Sequence, residues 1–382
     1  MINISKLWCG IPGSMDQLRY SRETHQKPVL VWNTTQRCNL HCMHCYSRSE
    51  NQIYPNELKT DEAKTFVKDI SEFKVPVLLF SGGEPLLRHD LFEVAHYATQ
   101  TGMRVVLSTN GTLITEKKAN QLKTAGFSYV GVSLDGIGET NNKFRGEPEA
   151  FELAVEGIRN CVKAGVKTGL RFTVTKHNLK DVSKIFDFIE NQGIPRVCFY
   201  HLAYAGRGTA LTKDDLTHEE TRAFIDYILE KADSFHEKGL NTEILTVDNH
   251  ADAAYLYLKL KEKDPKKAEE VIKLLKLNGG NSSGAGIACV DYNGNVHPDQ
   301  FWQHYSLGNV RNSKFSQIWG DDSKPLLQAL RNRKRHLHGK CAECRFLDIC
   351  NGNLRVRAEA VYEDIWATDP ACYLTDEEIK IN

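Results

Sequence analysis

The chain has 382 residues, which is enough for one large domain or for two or three smaller ones with a substantial core. Lysine plus arginine and aspartate plus glutamate number 49 each, so no net charge draws the protein to nucleic acid or to an acidic membrane. No apolar run approaches membrane-spanning length, and the first residues carry no secretion signal. Eleven cysteines, several of them clustered, therefore predict metal binding in a reducing cytoplasm rather than disulfides.

Residues 1–27 lack clear periodicity and are predicted to wrap around the domain that follows. From 28 to 205, short apolar runs alternate with amphipathic stretches, which is typical of βα units around a parallel sheet. The predicted strands are Val29–Trp32, Val77–Phe80, Val105–Ser108, Tyr129–Ser133, Gly169–Val174 and Val197–His201. The predicted helices lie near 61–73, 91–101, 116–125, 150–164 and 179–191. Six units predict an α/β fold, an open partial (β/α)₆ barrel, whose chemistry gathers at the C-terminal ends of the strands.

Three cysteines follow the first predicted strand at a C-x₃-C-x₂-C spacing: Cys38, Cys42 and Cys45. Because thiolate is the usual ligand of iron–sulfur clusters, three close thiols can hold three irons of a cubane and leave the fourth iron open. An open metal position is what a site needs to bind and activate a ligand. A zinc site that recruits His41 or His44 as its fourth ligand is the alternative.

The next three strands end in turns that carry polar groups. Gly82 and Gly83 would let the backbone approach a ligand closely, and the Glu84 carboxylate could accept from an ammonium group. The strands that follow end in hydroxyl, amide and carboxylate groups, at Ser108, Asn110, Ser133 and Asp135. Each turn taken alone is equally well explained as a simple strand-closing turn.

Residues 206–283 are predicted to form a helical bridging region, with Leu216–Glu237 and Ala253–Leu277 as its main helical stretches. Between these stretches, Asp248 and His250 suggest either a substrate contact or a helix cap. Residues 284–382 are predicted to form a small domain with a C-x₂-C-x₅-C set and a distal cysteine. These four thiols, Cys341, Cys344, Cys350 and Cys372, would complete either an iron–sulfur cluster or a structural zinc site.

The cysteine triad and the Gly-Gly-Glu turn together resemble the radical S-adenosylmethionine (SAM) family. The resemblance implies that a [4Fe–4S] cluster binds SAM and reduces it to methionine and a 5′-deoxyadenosyl radical, with electrons from ferredoxin or flavodoxin. His44 occupies the position where the family places a side chain against adenine, and Arg145 and Arg171 are candidates for a carboxylate. The implied SAM contacts are His44, Gly82, Gly83, Glu84, Ser108, Asn110, Ser133, Asp135, Arg145 and Arg171.

The C-terminal cysteines resemble the SPASM or twitch-like extension of these enzymes, which carries auxiliary [4Fe–4S] clusters. A full SPASM domain uses seven cysteines for two clusters, but this chain has Asp299 and Leu354 where two of them are expected. We therefore expect one auxiliary cluster, on Cys341, Cys344, Cys350 and Cys372. Cys289 is then free, a remnant of the second cluster, or a ligand in a shifted arrangement.

Longer strings, at 294–310, 350–359 and 369–374, resemble the branch of this family that modifies siroheme-derived tetrapyrroles. The resemblance implies an iron tetrapyrrole substrate, didecarboxysiroheme, from which two acetate side chains are removed in an alternative route to haem. Removal of propionates from the same precursor, as in d1-type haem synthesis, remains open, as do a peptide-modifying SPASM enzyme and a substrate-free electron carrier.

A flat, carboxylate-rich substrate would be bound by aromatic rings and by arginines, and its iron would take an axial ligand. His297, His304, His250 and Cys9 are the axial candidates, and Arg355 and Arg357 represent a basic C-terminal third of the chain. The candidate substrate contacts are Cys9, Tyr200, His201, Asp248, His250, Cys289, His297, Trp302, His304, Arg355 and Arg357.

Overall fold

A computed structural model describes residues 1–10, 13, 15–20 and 27–380. The remaining parts of the predicted N-terminal extension, at 11, 12, 14 and 21–26, lie outside the described residues. The strands are β1 Ile2–Asn3, β2 Val29–Asn33, β3 Val77–Ser81, β4 Arg104–Thr109, β5 Val130–Ser133, β6 Thr168–Val174, β7 Arg196–His201, β8 Glu243–Val247, β9 Ile287–Val290, β10 Asn295–His297 and β11 Gly308–Asn309.

Helices connect the strands and form most of the C-terminal region. They are α1 Asp16–Tyr20, α2 Thr60–Glu72, α3 Leu91–Gln100, α4 Glu116–Thr124, α5 Glu139–Arg145, α6 Ala150–Lys163, α7 Val182–Gln192, α8 His218–Glu237, α9 Ala251–Lys263, α10 Pro265–Asn278, α11 Phe315–Gly320, α12 Pro325–Arg331, α13 Leu347–Cys350, α14 Arg355–Tyr362 and α15 Asp376–Ile379. A π-helical turn spans Ser5–Cys9, and short 3₁₀ helices span Pro85–Leu87, Leu179–Asp181, Gly206–Asp214, Arg333–Arg335 and Gly339–Cys341.

One sheet runs through the described residues in the order β1-β8-β7-β6-β5-β4-β3-β2-β9-β10-β11. Strands β2 to β8 are parallel, and helices connect each to the next, which is the partial barrel that the alternating pattern predicts. The six predicted strands and the helices between them are confirmed to within a residue or two. The chemistry-bearing loops therefore emerge together at the C-terminal edge of the sheet.

The region 206–283, predicted as helical, also contributes a strand. Strand β8 pairs in parallel with β7 and antiparallel with β1, so it extends the barrel by a seventh parallel strand. The predicted helical stretch around Pro265 is divided into α9 and α10. Asp264 caps α10 by accepting from the Lys267 backbone N–H at 3.1 Å, and Pro265 takes the first helical position, where its missing N–H costs nothing.

The strands alternate between an outer face against the helices and an inner face toward the barrel interior. In β4, Val105 and Leu107 are fully buried under the helices, while Arg104, Val106 and Ser108 point inward and are half-buried. The outer face belongs to the main hydrophobic core. The inner face is left partly polar, and it borders the cavities described below. No helix among the described residues is both long and apolar enough to cross a bilayer.

Candidate active site

The three cysteines that follow β2 line one cavity of about 160 Å³ at the C-terminal edge of the barrel. Their loop is fixed by backbone hydrogen bonds on both sides. The Cys38 N–H donates to the Glu50 carbonyl at 3.0 Å, and the Met43 N–H donates to the Phe144 carbonyl at 3.0 Å. The thiols are therefore presented to one enclosed space by a loop that is held against α5.

Each of the three sulfurs has a polar neighbour. Nη1 of Arg145 lies 3.6 Å from Cys42 Sγ, Nδ2 of Asn110 lies 3.8 Å from Cys38 Sγ, and the Ser47 hydroxyl lies 3.3 Å from Cys45 Sγ. Burial raises the pKa of the Cys38 thiol to about 12 and also raises that of Cys42. Because the thiolate is the metal ligand, these donors and the positive charge of Arg145 favour the form that a cluster needs.

Eight of the ten implied SAM contacts line this same cavity: His44, Gly82, Gly83, Ser108, Asn110, Ser133, Arg145 and Arg171. The His44 ring stacks on Phe144 with its centroid 4.7 Å away, and its Nδ1 is buried without a hydrogen-bond partner. Burial lowers the pKa of His44 to about 4, so the ring is neutral at pH 7. A neutral, flat ring with an unsatisfied nitrogen fits the edge of a nucleobase.

Glu84 and Asp135 are the two implied SAM contacts that do not line the cavity. The buried Glu84 carboxylate accepts from the backbone N–H groups of Leu86 and Asn110 at 3.0 and 2.8 Å, and it also accepts from the Thr109 hydroxyl. These bonds tie the turn after β3 to the turn after β4. Glu84 thus positions Asn110 through three of the roughly four acceptor positions of its carboxylate, and its contact with the SAM ammonium stays a prediction.

Asp135 has a comparable positioning role. Its carboxylate is fully buried, pairs with Arg145, accepts from the Thr173 N–H at 2.6 Å, and lies 3.7 Å from Nε2 of His44. It therefore orients two side chains that line the cavity without lining it itself.

The paired glycines are required by the packing of the cysteine loop. A Cβ on Gly83 would lie 2.1 Å from the Arg37 carbonyl oxygen, and one on Gly82 would lie 2.4 Å from that of Thr35. The Gly83 N–H donates to Thr35 at 2.8 Å, and Gly82 has φ +130°. The two glycines therefore allow the close approach of two backbone segments, whereas the sequence predicts the approach of a ligand. This contact fixes the segment that leads into Cys38.

A second, larger cavity of about 930 Å³ occupies the barrel interior below the first. The two cavities share wall residues: Val31, Leu79, Arg171, Tyr200, Asp248, Gln300 and Phe301. Asp299 and Leu354, which stand where the SPASM pattern has cysteine, line the larger cavity. The Asp299 carboxylate accepts from the Phe301 N–H at 2.8 Å and from the Ser283 hydroxyl, so it shapes a turn in this wall.

Four of the candidate substrate contacts line these cavities. Tyr200 and Asp248 border both, His201 borders the smaller one and His250 the larger one. The others do not line either cavity: Cys9, Cys289, His297, Trp302, His304, Arg355 and Arg357. Cys289 is buried in the centre of β9, and Trp302 is buried in a small apolar cluster with Leu354 and Val356.

Three of the four candidates for the axial ligand lie outside both cavities. His297 is buried, with Nδ1 2.8 Å from the Tyr305 carbonyl oxygen and Nε2 3.3 Å from the Asp291 carboxylate. His304 is exposed and contacts Glu359 at 3.1 Å. Cys9 ends the π-helical turn outside the cavities. Of these four, His250 alone faces the barrel interior.

Arg355 and Arg357 are also buried away from both cavities, and they bond to groups of the C-terminal region and the barrel; Nε of Arg355 alone lacks a partner. Arg357 pairs with Asp369 at 2.9 Å and donates to the carbonyl oxygens of Leu202 and Asp248 at 3.0 and 2.7 Å. Arg355 donates to the carbonyl of Ile365 at 3.1 Å and to those of Ala367 and Gly352. Their guanidinium groups hold the C-terminal loops against the barrel.

The four C-terminal cysteines lie near one another. Burial, followed by the thiolates of Cys372, Cys341 and Cys344, raises the pKa of the Cys350 thiol. Within the described residues, no group of three His, Cys, Asp or Glu side chains is arranged to hold a single metal ion. The choice between an iron–sulfur cluster and zinc on these four cysteines therefore stays with the sequence pattern.

Several cavity residues escape the sequence patterns. Gln300 and Phe301 border both cavities, and three arginines, Arg19, Arg104 and Arg196, line the larger one. The period-two alternation of β4 and β7 places Arg104 and Arg196 on the same faces as Val106 and Cys198, but only the sheet shows that these faces point into the barrel. Arg19 carries no such signal, because α1 is too short for a periodic pattern.

Comparison with known proteins agrees with this geometry. The model of the radical SAM superfamily matches residues 32–189, and that of the SPASM iron–sulfur cluster-binding domain matches residues 283–345. The Fe-coproporphyrin III synthase of Methanosarcina barkeri is 54% identical over 394 aligned positions, which cover 99% of each chain. The chain belongs to the radical SAM superfamily. The pre-heme d1 synthase of Dinoroseobacter shibae is 43% identical in an alignment that covers 92% of this radical SAM enzyme and 87% of the synthase.

The fold of this radical SAM enzyme also has a solved counterpart. The crystal structure of Streptococcus suis SuiB bound to S-adenosylmethionine matches with a TM-score of 0.72 and 18% identity, over 92% of this chain and 79% of that one. At this identity the likeness shows the fold alone. The two family matches indicate SAM and iron–sulfur chemistry in this enzyme.

Proposed function

We propose that the protein removes two acetate side chains from the iron tetrapyrrole 12,18-didecarboxysiroheme and so forms Fe-coproporphyrin III. The observation that carries this proposal is a cavity of about 930 Å³ that meets the cysteine-lined cavity across a shared wall. Its volume lies at the upper end of small-molecule sites, as a macrocycle requires. The identity of 54% to a Fe-coproporphyrin III synthase over 99% of both chains supports the same substrate.

In this proposal Cys38, Cys42 and Cys45 hold the [4Fe–4S] cluster that binds SAM. With cluster and SAM bound, the site supplies a 5′-deoxyadenosyl radical that abstracts hydrogen from the substrate. Arg145 and Asn110 stabilise the anionic sulfurs, and His44, Ser108 and Ser133 line the space for the SAM molecule. Tyr200, Asp248 and Phe301 form the shared wall and would hold the acetate-bearing edge near that space.

The remaining cofactor and partner assignments follow the same reasoning. Cys341, Cys344, Cys350 and Cys372 would hold one auxiliary [4Fe–4S] cluster, and a ferredoxin or flavodoxin would supply electrons. His250 would be the axial ligand of the substrate iron, because among the four sequence candidates it alone faces the larger cavity.

The test is an anaerobic turnover of the reconstituted full chain with SAM, dithionite and didecarboxysiroheme, read by mass spectrometry. Loss of two acetate units with matching formation of deoxyadenosine is the expected result. A triple variant, with Cys38, Cys42 and Cys45 changed to alanine, is the control for the radical step. Deoxyadenosine with an unchanged tetrapyrrole would overturn the substrate assignment.

A second candidate is removal of propionates from the same precursor, which the 43% identity to a pre-heme d1 synthase favours. The same experiment separates the two, because acetate and propionate differ by one methylene in the mass lost.

A further inference from the structure

The wall of the larger cavity carries three arginines without a close carboxylate partner. Arg104 and Arg171 project inward from β4 and β6, and Arg19 reaches the same space from α1. Within the described part of the chain, neither Arg104 nor Arg171 forms an ion pair with an acidic side chain. Arg196 on the neighbouring β7 is different, because its Nε donates to Glu243 at 2.7 Å.

The surroundings of these three guanidinium groups leave donors unused. Nε of Arg104 and Nη1 of Arg19 are buried without a hydrogen-bond partner. Arg19 contacts Asp16 only at 3.9 Å, and its Nη2 lies 3.3 Å from the Met1 sulfur. Arg171 lies over the Tyr200 ring, with its guanidinium carbon 4.5 Å from the centroid, and that stacking leaves its edge N–H groups available.

Half-buried guanidinium groups without a close carboxylate partner, and buried donors without an acceptor, are costly, and an anionic ligand would reduce that cost. Burial and the neighbouring Arg196 lower the pKa of Arg104, so the charged guanidinium is disfavoured in the protein without a bound anion. A planar guanidinium binds a carboxylate through two parallel hydrogen bonds, so it favours this anion in a fixed orientation. Three acidic side chains also line this cavity: Asp248, Asp299 and Asp322. Asp299 accepts from Ser283 and from backbone N–H groups, and Asp322 pairs with Arg331, so neither forms an ion pair with Arg104 or Arg171.

We propose that Arg19, Arg104 and Arg171 bind the carboxylates of the tetrapyrrole and thereby determine which edge of the macrocycle faces the cysteines. This inference rests on the proposed function. Arg104 opens β4, five residues before the strand end at Thr109, so it lies about 16 Å from the C-terminal edge of the sheet. Arg171 borders both cavities. Carboxylates that are retained would bind at Arg19 and Arg104, and the reacting edge would lie at Arg171.

The test is an equilibrium titration of the full-length protein with didecarboxysiroheme, followed by the Soret band. R104Q and R171Q should each weaken binding about tenfold or more, since a hydrogen bond to a charged group is typically worth at least that factor. The matched control is R159Q, which removes an exposed arginine from α6. R171K, which keeps the charge and loses the planar fork, should bind between wild type and R171Q.

A second ligand separates carboxylate recognition from packing. The fully methyl-esterified tetrapyrrole has the same ring and no charge, so the wild type should bind it more weakly, and R104Q and R171Q should bind it as the wild type does. Equal weakening for acid and ester in the variants, or no preference of the wild type for the acid, would overturn the inference. If the wild type converts didecarboxysiroheme while the variants bind it unchanged, the arginine assignment fails and the proposed function stands. If the wild type does not bind it at all, the proposed function fails.

Discussion

Nη1 of Arg145 lies 3.6 Å from the sulfur of Cys42, a contact buried at the base of the cysteine-lined cavity. The positive charge favours the thiolate and, with a cluster bound, favours the added electron. Changing Arg145 to glutamine together with Asp135 to asparagine removes the positive charge in contact with Cys42 and the negative charge paired with it, so no buried carboxylate is left unpaired; the effect of Arg145 on Cys42 is the larger. We expect the midpoint potential of the SAM-binding cluster to fall by roughly 60 mV, the one-electron equivalent of a tenfold change. Redox titration followed by EPR measures it.

The control for this experiment is R159Q, which should leave the potential unchanged because Arg159 is exposed on α6. An unaltered potential in the double variant would contradict the prediction that the charge of Arg145 outweighs that of Asp135 at the cluster.

Arg357 and Asp369 form a fully buried ion pair that joins α14 to the loop before Cys372. Changing Arg357 to methionine leaves the Asp369 charge buried, and we expect the free energy of unfolding to fall by about 3–5 kcal/mol. Anaerobic urea denaturation measures this, with the exposed Arg335 changed to methionine as control. Adding Asp369→Leu should recover part of the loss, and a further loss of equal size would contradict the explanation.

Asp248 has a buried carboxyl whose pKa is raised to about 6, chiefly by burial, from an ordinary value of 3.8. Its folded-state pKa is above the unfolded value, so this group lowers stability as pH rises from about 4 to about 6. We expect Asp248→Asn to be more stable than wild type at pH 7 by up to about 3 kcal/mol, with the difference vanishing near pH 4. Unfolding measured across this pH range tests it.

Asparagine also tolerates the left-handed conformation at this position, where φ is +67°. That contribution does not depend on pH. The pH dependence of the difference in unfolding free energy between D248N and wild type therefore reports on the carboxyl group. The control variant is D187N on the exposed face of α7. A pH-independent difference for D248N would exclude the titration.

His250 faces the larger cavity, and we expect its replacement by alanine to change the ligand field of the bound substrate iron. The Soret band and the EPR spectrum of the didecarboxysiroheme complex should shift, and added imidazole should restore them. H304A, at an exposed position beside Glu359, should leave both spectra unchanged. Identical spectra for H250A and wild type would remove His250 as the axial ligand.

Local patterns predict the barrel well, because each strand and helix between 28 and 205 is defined by its own periodicity. They do not predict β9, since four apolar residues that follow a glycine-rich segment pair with a strand far away in the sequence. The motif residues illustrate the same limit. The motif assigns Glu84 to a ligand-binding turn, yet only the fold shows that its carboxylate accepts hydrogen bonds from the backbone N–H groups of Leu86 and Asn110.

The arginines show a second limit of sequence reasoning. A basic run in the C-terminal third suggests a site for carboxylates, but Arg357 is paired with Asp369, and nothing in the spacing of the two residues reveals this. Arg104 resembles an ordinary strand-initiating residue until the sheet fixes which face points inward. The direction of a side chain depends on long-range pairing, and a single sequence does not contain it.

Strand β2, which leads into the cysteine loop, is completed on one side by β3 and on the other by β9. During synthesis β3 is available early to pair with β2, whereas β9 emerges only after α10. Until then the nascent chain exposes an open strand edge beside three reactive thiols, an arrangement prone to pairing with other chains. The edge of β2 is therefore covered only when β9 has been made. We expect a truncated chain that ends before Ile287 to aggregate rather than fold as an independent barrel.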